Sequence, residues 1–168
     1  PARFDLKKAE SINGDHIRLL DVDDFATRTV PYLVSAGILT DPLTDDQQSI
    51  LAQVAPLVQE RVTLLSQAPG MLGFLFTAGV DLTFEPEALG SLPENTGVVI
   101  AASIGALELI ARGDWNAVQL QEVLSETLIV GLGLKPRIAY GPLRVALSGR
   151  TVSPPLFESM EILGKEET

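Results

Sequence analysis

The 168-residue chain contains no cysteine and one histidine, His16. The first absence excludes disulfides, thiolate nucleophiles and cysteine metal sites and suits a reducing cytoplasm, which is the expected location. The second leaves little room for a histidine-based active site or a zinc centre. Long apolar runs are also missing: a membrane-spanning helix needs roughly 18 to 20 apolar residues. The longest run here, Gly97 to Leu107, holds Ser103 and stops at Glu108, so no membrane partner is expected. The opening residues offer neither the apolar stretch nor the cleavage site of a secretory signal. The chain begins with Pro1, and the missing initiator Met leads us to expect a fragment or a processed chain. There is no glycine-rich phosphate loop, no paired histidines and no Ser-His-acid motif, so no catalytic residues and no metal ligands are expected within the chain.

Positive charge is scarce, with 12 Lys and Arg against 22 Asp and Glu and a net charge of -10. Such a balance argues at first against nucleic acid, because phosphate binding is driven by cations that release counterions. The distribution changes that reading. Between Leu19 and Leu134 the only cations are Arg28, Arg61 and Arg112 among many acids, whereas Lys135, Arg137, Arg144 and Arg150 fall in a stretch with no acid at all. The opening adds Arg3, Lys7, Lys8 and Arg18. The two ends are therefore where an anion could dock, although ordinary solvated charges on an acidic protein would look the same.

Helix signals run almost throughout, and few strands are convincing. Phe25, Val30, Leu33 and Val34 are spaced for one helix or two short ones over 23–36, with Pro31 as a kink and Gly37 as the stop. Thr44 and Gln47 form a capping box, after which Ile50, Leu51, Val54, Leu57, Val58, Val62 and Leu65 trace one face to about Ser66. Pro69 opens a shorter apolar segment ending at Phe76, and the Gly-, Pro- and acid-rich stretch 79–93 reads as a loop and a subdomain boundary. Small and apolar residues over 96–110 predict a buried, closely packed helix; Asp114 is the predicted cap of the next, from Trp115 to about Gly131. Pro136 and Gly141 confine the next stretch to short pieces, with Pro142 in the first turn of a helix over 143–148. Ser153 is the predicted cap of the last helix, Leu156 to Leu163, closed by Gly164. The expected fold is all-α, with two small helical subdomains over 1–80 and 81–168.

Two features invite chemistry and have plainer explanations. The acids at Asp21, Asp23, Asp24 and at Asp41, Asp45, Asp46 could be pictured on a metal, but they lie at helix starts, where carboxylates cap free amides. Trp115 reads as a core anchor rather than a platform for a base.

The ends of the chain carry a resemblance. Phe4-Asp5-Leu6-Lys7-Lys8, Asn13-Gly14 and His16-Ile17-Arg18 are similar to the stretch that follows the catalytic domain in bacterial glutamyl-tRNA synthetases. Leu134-Lys135-Pro136-Arg137, Gly141 through Arg150, Ser153-Pro154-Pro155-Leu156-Phe157-Glu158 and Leu163-Gly164-Lys165-Glu166 resemble that family's C-terminal signature. The resemblance implies the stem-contact and anticodon-binding region of a class I aminoacyl-tRNA synthetase. The parent ligase would use ATP and Mg through HIGH-type and KMSKS-type motifs that do not occur here, so this region alone would need no cofactor and would not aminoacylate. It also implies a role in translation, with glutamate tRNA as the partner and glutamine tRNA left open, no DNA partner, and a monomer.

The same resemblance assigns residues. Arg144, Ser153, Pro154, Leu156 and Phe157 match positions that read unstacked anticodon bases, and Arg61 matches a reader of the third anticodon base. Lys8 matches a contact to the tRNA inner stem, with Lys7 as a phosphate neighbour, and Lys135, Arg137 and Arg150 complete the expected backbone contacts. The chemistry suits these types: single-stranded bases present faces to apolar side chains and edges to polar ones, and a guanidinium donates in pairs. Arg61 could equally be a helix salt-bridge partner or a free surface arginine. Ser11 stands where related enzymes often have tryptophan, and Glu10 where they can have a cation, which points to fewer stem contacts. Asn13-Gly14 is expected to form a turn. Outside the resemblance, a protein-interaction module using the acidic middle and a small enzyme of another type remain as alternatives.

Overall fold

The computed structural model describes residues 5–77 and 79–168; Arg3 and Phe4, at the basic opening, lie outside the described residues. Among the described residues there are helices and turns and no strand, as the pattern predicted. The chain divides into two compact units, Pro1–Phe76 and Thr77–Thr168.

The first unit begins with α1, Leu6–Arg18, whose cap Asp5 accepts a hydrogen bond from the Lys8 amide at 3.1 Å. Asn13 and Gly14 lie inside this helix rather than in a turn. The reason is tertiary: Gly14 is buried, and a Cβ there would sit 3.1 Å from Thr63 Cγ2, so the missing side chain lets α1 approach the turn after α3. α2, Val22–Ser35, runs unbroken through Pro31 and buries Phe25, Thr29 and Leu33. It packs on α3, Asp45–Gln59, where the capping box is present: Gln47 N donates to Thr44 Oγ1 at 3.2 Å and Thr44 N to Gln47 Oε1 at 3.2 Å. α3 stops at Gln59, short of the expected Ser66. Val62 is nonetheless fully buried, so the apolar spacing reported burial correctly while the backbone had already turned. α4, Ala68–Leu72, and the 3-10 turn Gly73–Phe76 complete the unit and bury Leu72, Phe74 and Leu75.

In the second unit the stretch expected to be a loop contains a 3-10 turn, Gly79–Asp81, and a short helix, α5, Pro86–Gly90, opened by its proline. α6 is Thr96–Glu108; α7, Ala117–Leu124, continues as a π-helical stretch, Ser125–Gly131. α6 is amphipathic by burial and not a buried helix: Val99 and Ser103 are inside, while Val98 and Ile104 are exposed. The cap of α7 is Asn116, whose side chain accepts from Gln119 N at 3.0 Å, and not Asp114, which belongs to a 3-10 turn. α8 is one helix, Pro136–Ser148, rather than short pieces. Pro136 takes the first turn, where its missing amide costs nothing, and Pro142 lies inside the helix, as Pro31 does in α2 and Pro56 in α3. α9, Leu156–Leu163, is capped by Pro155 instead of Ser153.

The core of this unit joins Val99, Ile110, Leu120, Leu124, Leu128, Ala139, Leu143, Leu156 and Met160. Each buried leucine contributes about 1.5–3 kcal/mol relative to exposure. Trp115 packs against this cluster and donates from Nε1 to the Met160 carbonyl at 2.9 Å, so it is the core anchor expected of it.

Candidate nucleic-acid interface

The site in the second unit is assembled by α8, the segment that leaves it and the first turn of α9. Gly149, at φ +69, ends α8 in the left-handed region. A Cβ there would lie 2.1 Å from the Thr83 carbonyl oxygen, and Glu85 N donates to Gly149 O at 2.9 Å, so only glycine lets the chain pass this close to the 83–85 segment. Arg150 follows and pairs with Glu85 at 2.6 Å, both side chains partly exposed. Its charge is thus engaged within the protein. Ser148 closes the bend, its Oγ donating to the Arg144 carbonyl at 2.7 Å and accepting from Arg150 N at 3.3 Å.

Arg144 is half-buried and holds the loop ahead of α9. Its Nη1 donates to Ser153 Oγ at 2.6 Å, to Pro154 O at 2.9 Å and to Ser153 O at 3.4 Å. Arg144, Ser153 and Pro154, inferred separately from the resemblance, are therefore one hydrogen-bonded unit. Ser153, Pro154 and Leu156 are buried, so their side chains shape the loop rather than face solvent. Phe157 is half-buried and meets Tyr140 edge to face, centroids 5.3 Å apart and planes at 86°. This geometry orients an aromatic face beside the loop.

Lys135 caps the start of α8 without a side-chain hydrogen bond to the helix, and Arg137 stands in its first turn; both are exposed. Along α8 lies a groove of about 610 Å³ whose walls include Arg137, Tyr140, Arg144, Thr151, Ser91 and Pro93. Tyr140, one turn before Arg144, was missed in the sequence; its four-residue spacing from that arginine was the available signal. Ser148 and Glu85 had no such signal, because their roles depend on the fold.

Lys7 and Lys8 lie exposed on α1, and Arg61 is exposed just after α3, its backbone amide donating to Val58 O at 2.8 Å. These three belong to the first unit and the others to the second, so the predicted residues fall into two sets, one in each unit. The cations of the first unit are not all equivalent: Arg18 pairs with Asp15 at 2.6 Å and Arg28 with Asp24 at 2.8 Å. The hydrogen bond and charge of Asp24 raise the Arg28 pKa further above its ordinary value. Among the described residues no group of three or more His, Cys, Asp or Glu could hold a metal ion, and no helix is long and apolar enough to cross a membrane.

An all-α chain with an arginine-anchored loop beside a basic, aromatic groove has the parts of a single-stranded RNA reader. The chain belongs to the anticodon-binding domain family, whose model, described as "Anticodon binding domain", matches residues 24–168. Within it, the resemblance carried by the two ends of the sequence is borne out. The chain is 64% identical over 168 residues to the glutamate–tRNA ligase of Leifsonia xyli subsp. xyli (strain CTCB07), covering 100% of this chain and 34% of that protein. It is 58% identical over 168 residues to the glutamate–tRNA ligase of Clavibacter michiganensis subsp. michiganensis (strain NCPPB 382), covering 100% of this chain and 33% of the relative. The chain thus spans about a third of the length of these curated relatives. A crystal structure of a glutamate tRNA ligase from Elizabethkingia meningosepticum superposes with a TM-score of 0.71 at 23% identity, over 99% of this chain and 31% of that one, and shows the shared fold.

Proposed function

We propose that this chain is the tRNA-reading part of a glutamate–tRNA ligase. The first unit meets the inner stem through Lys7 and Lys8 and reads the third anticodon base through Arg61; the second reads the anticodon loop. The observation that carries the proposal is the bonding of Arg144 to Ser153 and Pro154, which sets the loop before α9 next to the Tyr140–Phe157 pair. Arg144 and Ser153 hold the platform, Pro154 and Leu156 give it shape, and Phe157 supplies an apolar face for an unstacked base. Lys135 and Arg137 meet phosphates from the start of α8, and Arg150, through its pair with Glu85, steadies the platform. The ligand is glutamate tRNA, and Arg61 biases against glutamine tRNA.

In the parent protein an ATP- and Mg-dependent catalytic domain attaches glutamate to the tRNA, and this region selects the tRNA as a monomer in the cytoplasm. The test is a contrast between two arginines. Arg144→Ala is expected to weaken anticodon-loop binding by at least about tenfold, the scale of a single base contact. Arg112→Ala, which removes an exposed pair with Glu166, is expected to leave it within about twofold. Equal effects from the two variants would refute the assignment.

A further inference from the structure

Arg61 is exposed, and among the described residues its guanidinium has no hydrogen-bond or ion-pair partner. Nothing at the tip of the side chain sets its direction, so its reach is set by the backbone from which it springs. That backbone lies beyond the last turn of α3 and is held by side chains. Gln59 is buried and ties the end of α3 to the end of α1, donating from Nε2 to Ile17 O at 2.8 Å and Leu20 O at 2.7 Å. Val62, next to Arg61, is fully buried. Thr63 is gripped on both sides: its amide donates to Gln67 Oε1 at 2.9 Å, and its carbonyl accepts from Asn13 Nδ2 on α1. Gly14 lets α1 close onto Thr63.

We propose that Asn13 is a positioning residue for Arg61: its side-chain amide clamps Thr63 to α1 and so fixes the turn that aims Arg61 at its ligand. This rests on the reading of Arg61 as the contact to the third anticodon base. One helix thereby serves two tasks, carrying Lys7 and Lys8 on its exposed surface and bracing the Arg61 turn through Asn13 and Gly14. A guanidinium that must form a paired contact to a base edge tolerates little displacement at its root, so loosening this clamp lowers selectivity. A purely structural role for Asn13 would lower stability without touching base preference.

The experiment measures binding of the full 168-residue chain to two anticodon stem-loop RNAs that differ only in the third anticodon base, cytosine or guanine. Wild type is expected to prefer cytosine, whose exposed Watson–Crick edge offers the acceptors N3 and O2 to a guanidinium where guanine offers two donors, by about tenfold. Asn13→Ala, which favours the helix and so leaves α1 formed, is expected to cut that preference by at least about threefold, and isosteric Asn13→Asp, which lacks the donor, to do the same. Arg61→Ala abolishes the preference, and adding Asn13→Ala to it changes nothing further. Retention of the full preference by both Asn13 variants while Arg61→Ala loses it would overturn the positioning role and leave third-base reading intact. Retention by Arg61→Ala would overturn the reading, and the positioning role with it.

Discussion

At the scale of single residues, the hydrogen bonds of Arg144 give one side chain two consequences. Its Nη1 donates to Ser153 and Pro154; Pro154 O also accepts from Ser153 Oγ at 3.0 Å, so removing the arginine strips the donor from the acceptors of buried Ser153. Arg144→Ala is therefore expected to lower folding stability by about 1–3 kcal/mol, read from the urea midpoint, in addition to its effect on binding. Gly149 is the sharper case. Its left-handed backbone and the 2.1 Å approach of a Cβ to the Thr83 oxygen exclude any side chain. Gly149→Ala should cost about 3 kcal/mol or more, and a loss below about 1 kcal/mol would contradict the close approach. Neither residue's partner was legible in the sequence. Arg144 was found through resemblance to a family, and no local pattern states that Thr83 lies against Gly149, because the two are brought together only by the fold.

Elements were legible where a local rule coincided with burial. The Thr44 capping box announced the start of α3, and Thr44→Ala is expected to cost about 1 kcal/mol in chemical denaturation. α7 offers a discriminating comparison: Asn116→Ala should cost a similar amount, whereas Asp114→Ala should be close to neutral, since only Asn116 caps the helix. Elements were misread where a local signal met a tertiary compensation. Pro136 and Gly141 read as confining the chain to short pieces, with Pro142 opening a helix, yet α8 starts at Pro136 and runs through both Gly141 and Pro142. Asn13-Gly14 has the composition of a turn, yet Thr63 uses both residues as a docking face of a helix. α3 ended early because apolar spacing marks which side chains are buried, and Val62 is buried from a turn.

For the whole molecule, the proposed function raises the question of how a chain of net charge -10 would hold a polyanion. The answer lies in placement. The acid-free stretch from Lys135 to Arg150 presents Lys135 and Arg137 to solvent, while Arg144 and Arg150 are bonded within the protein. Among the described residues Lys135 and Arg137 have no ion-pair partner, so Lys135→Ala with Arg137→Ala is expected to lower the salt slope of RNA binding by about 1.4 without changing the preference among loop sequences. An unchanged slope would place the phosphates elsewhere. The all-α class and the family could be read from the sequence, since helical spacing fills the chain and both ends carry specific motifs. The loop geometry could not, because it depends on contacts such as Glu85 with Arg150.

The central claim is that this chain reads an anticodon. Its most direct test is fluorescence anisotropy of the chain with a labelled glutamate-tRNA anticodon stem-loop, beside a stem-loop of identical stem and scrambled loop, across a range of salt. The account predicts tighter binding of the native loop by about 1–3 kcal/mol for each base that the scrambled loop no longer presents correctly, with the difference persisting as salt weakens both. Equal binding of the two loops at every salt concentration would contradict it.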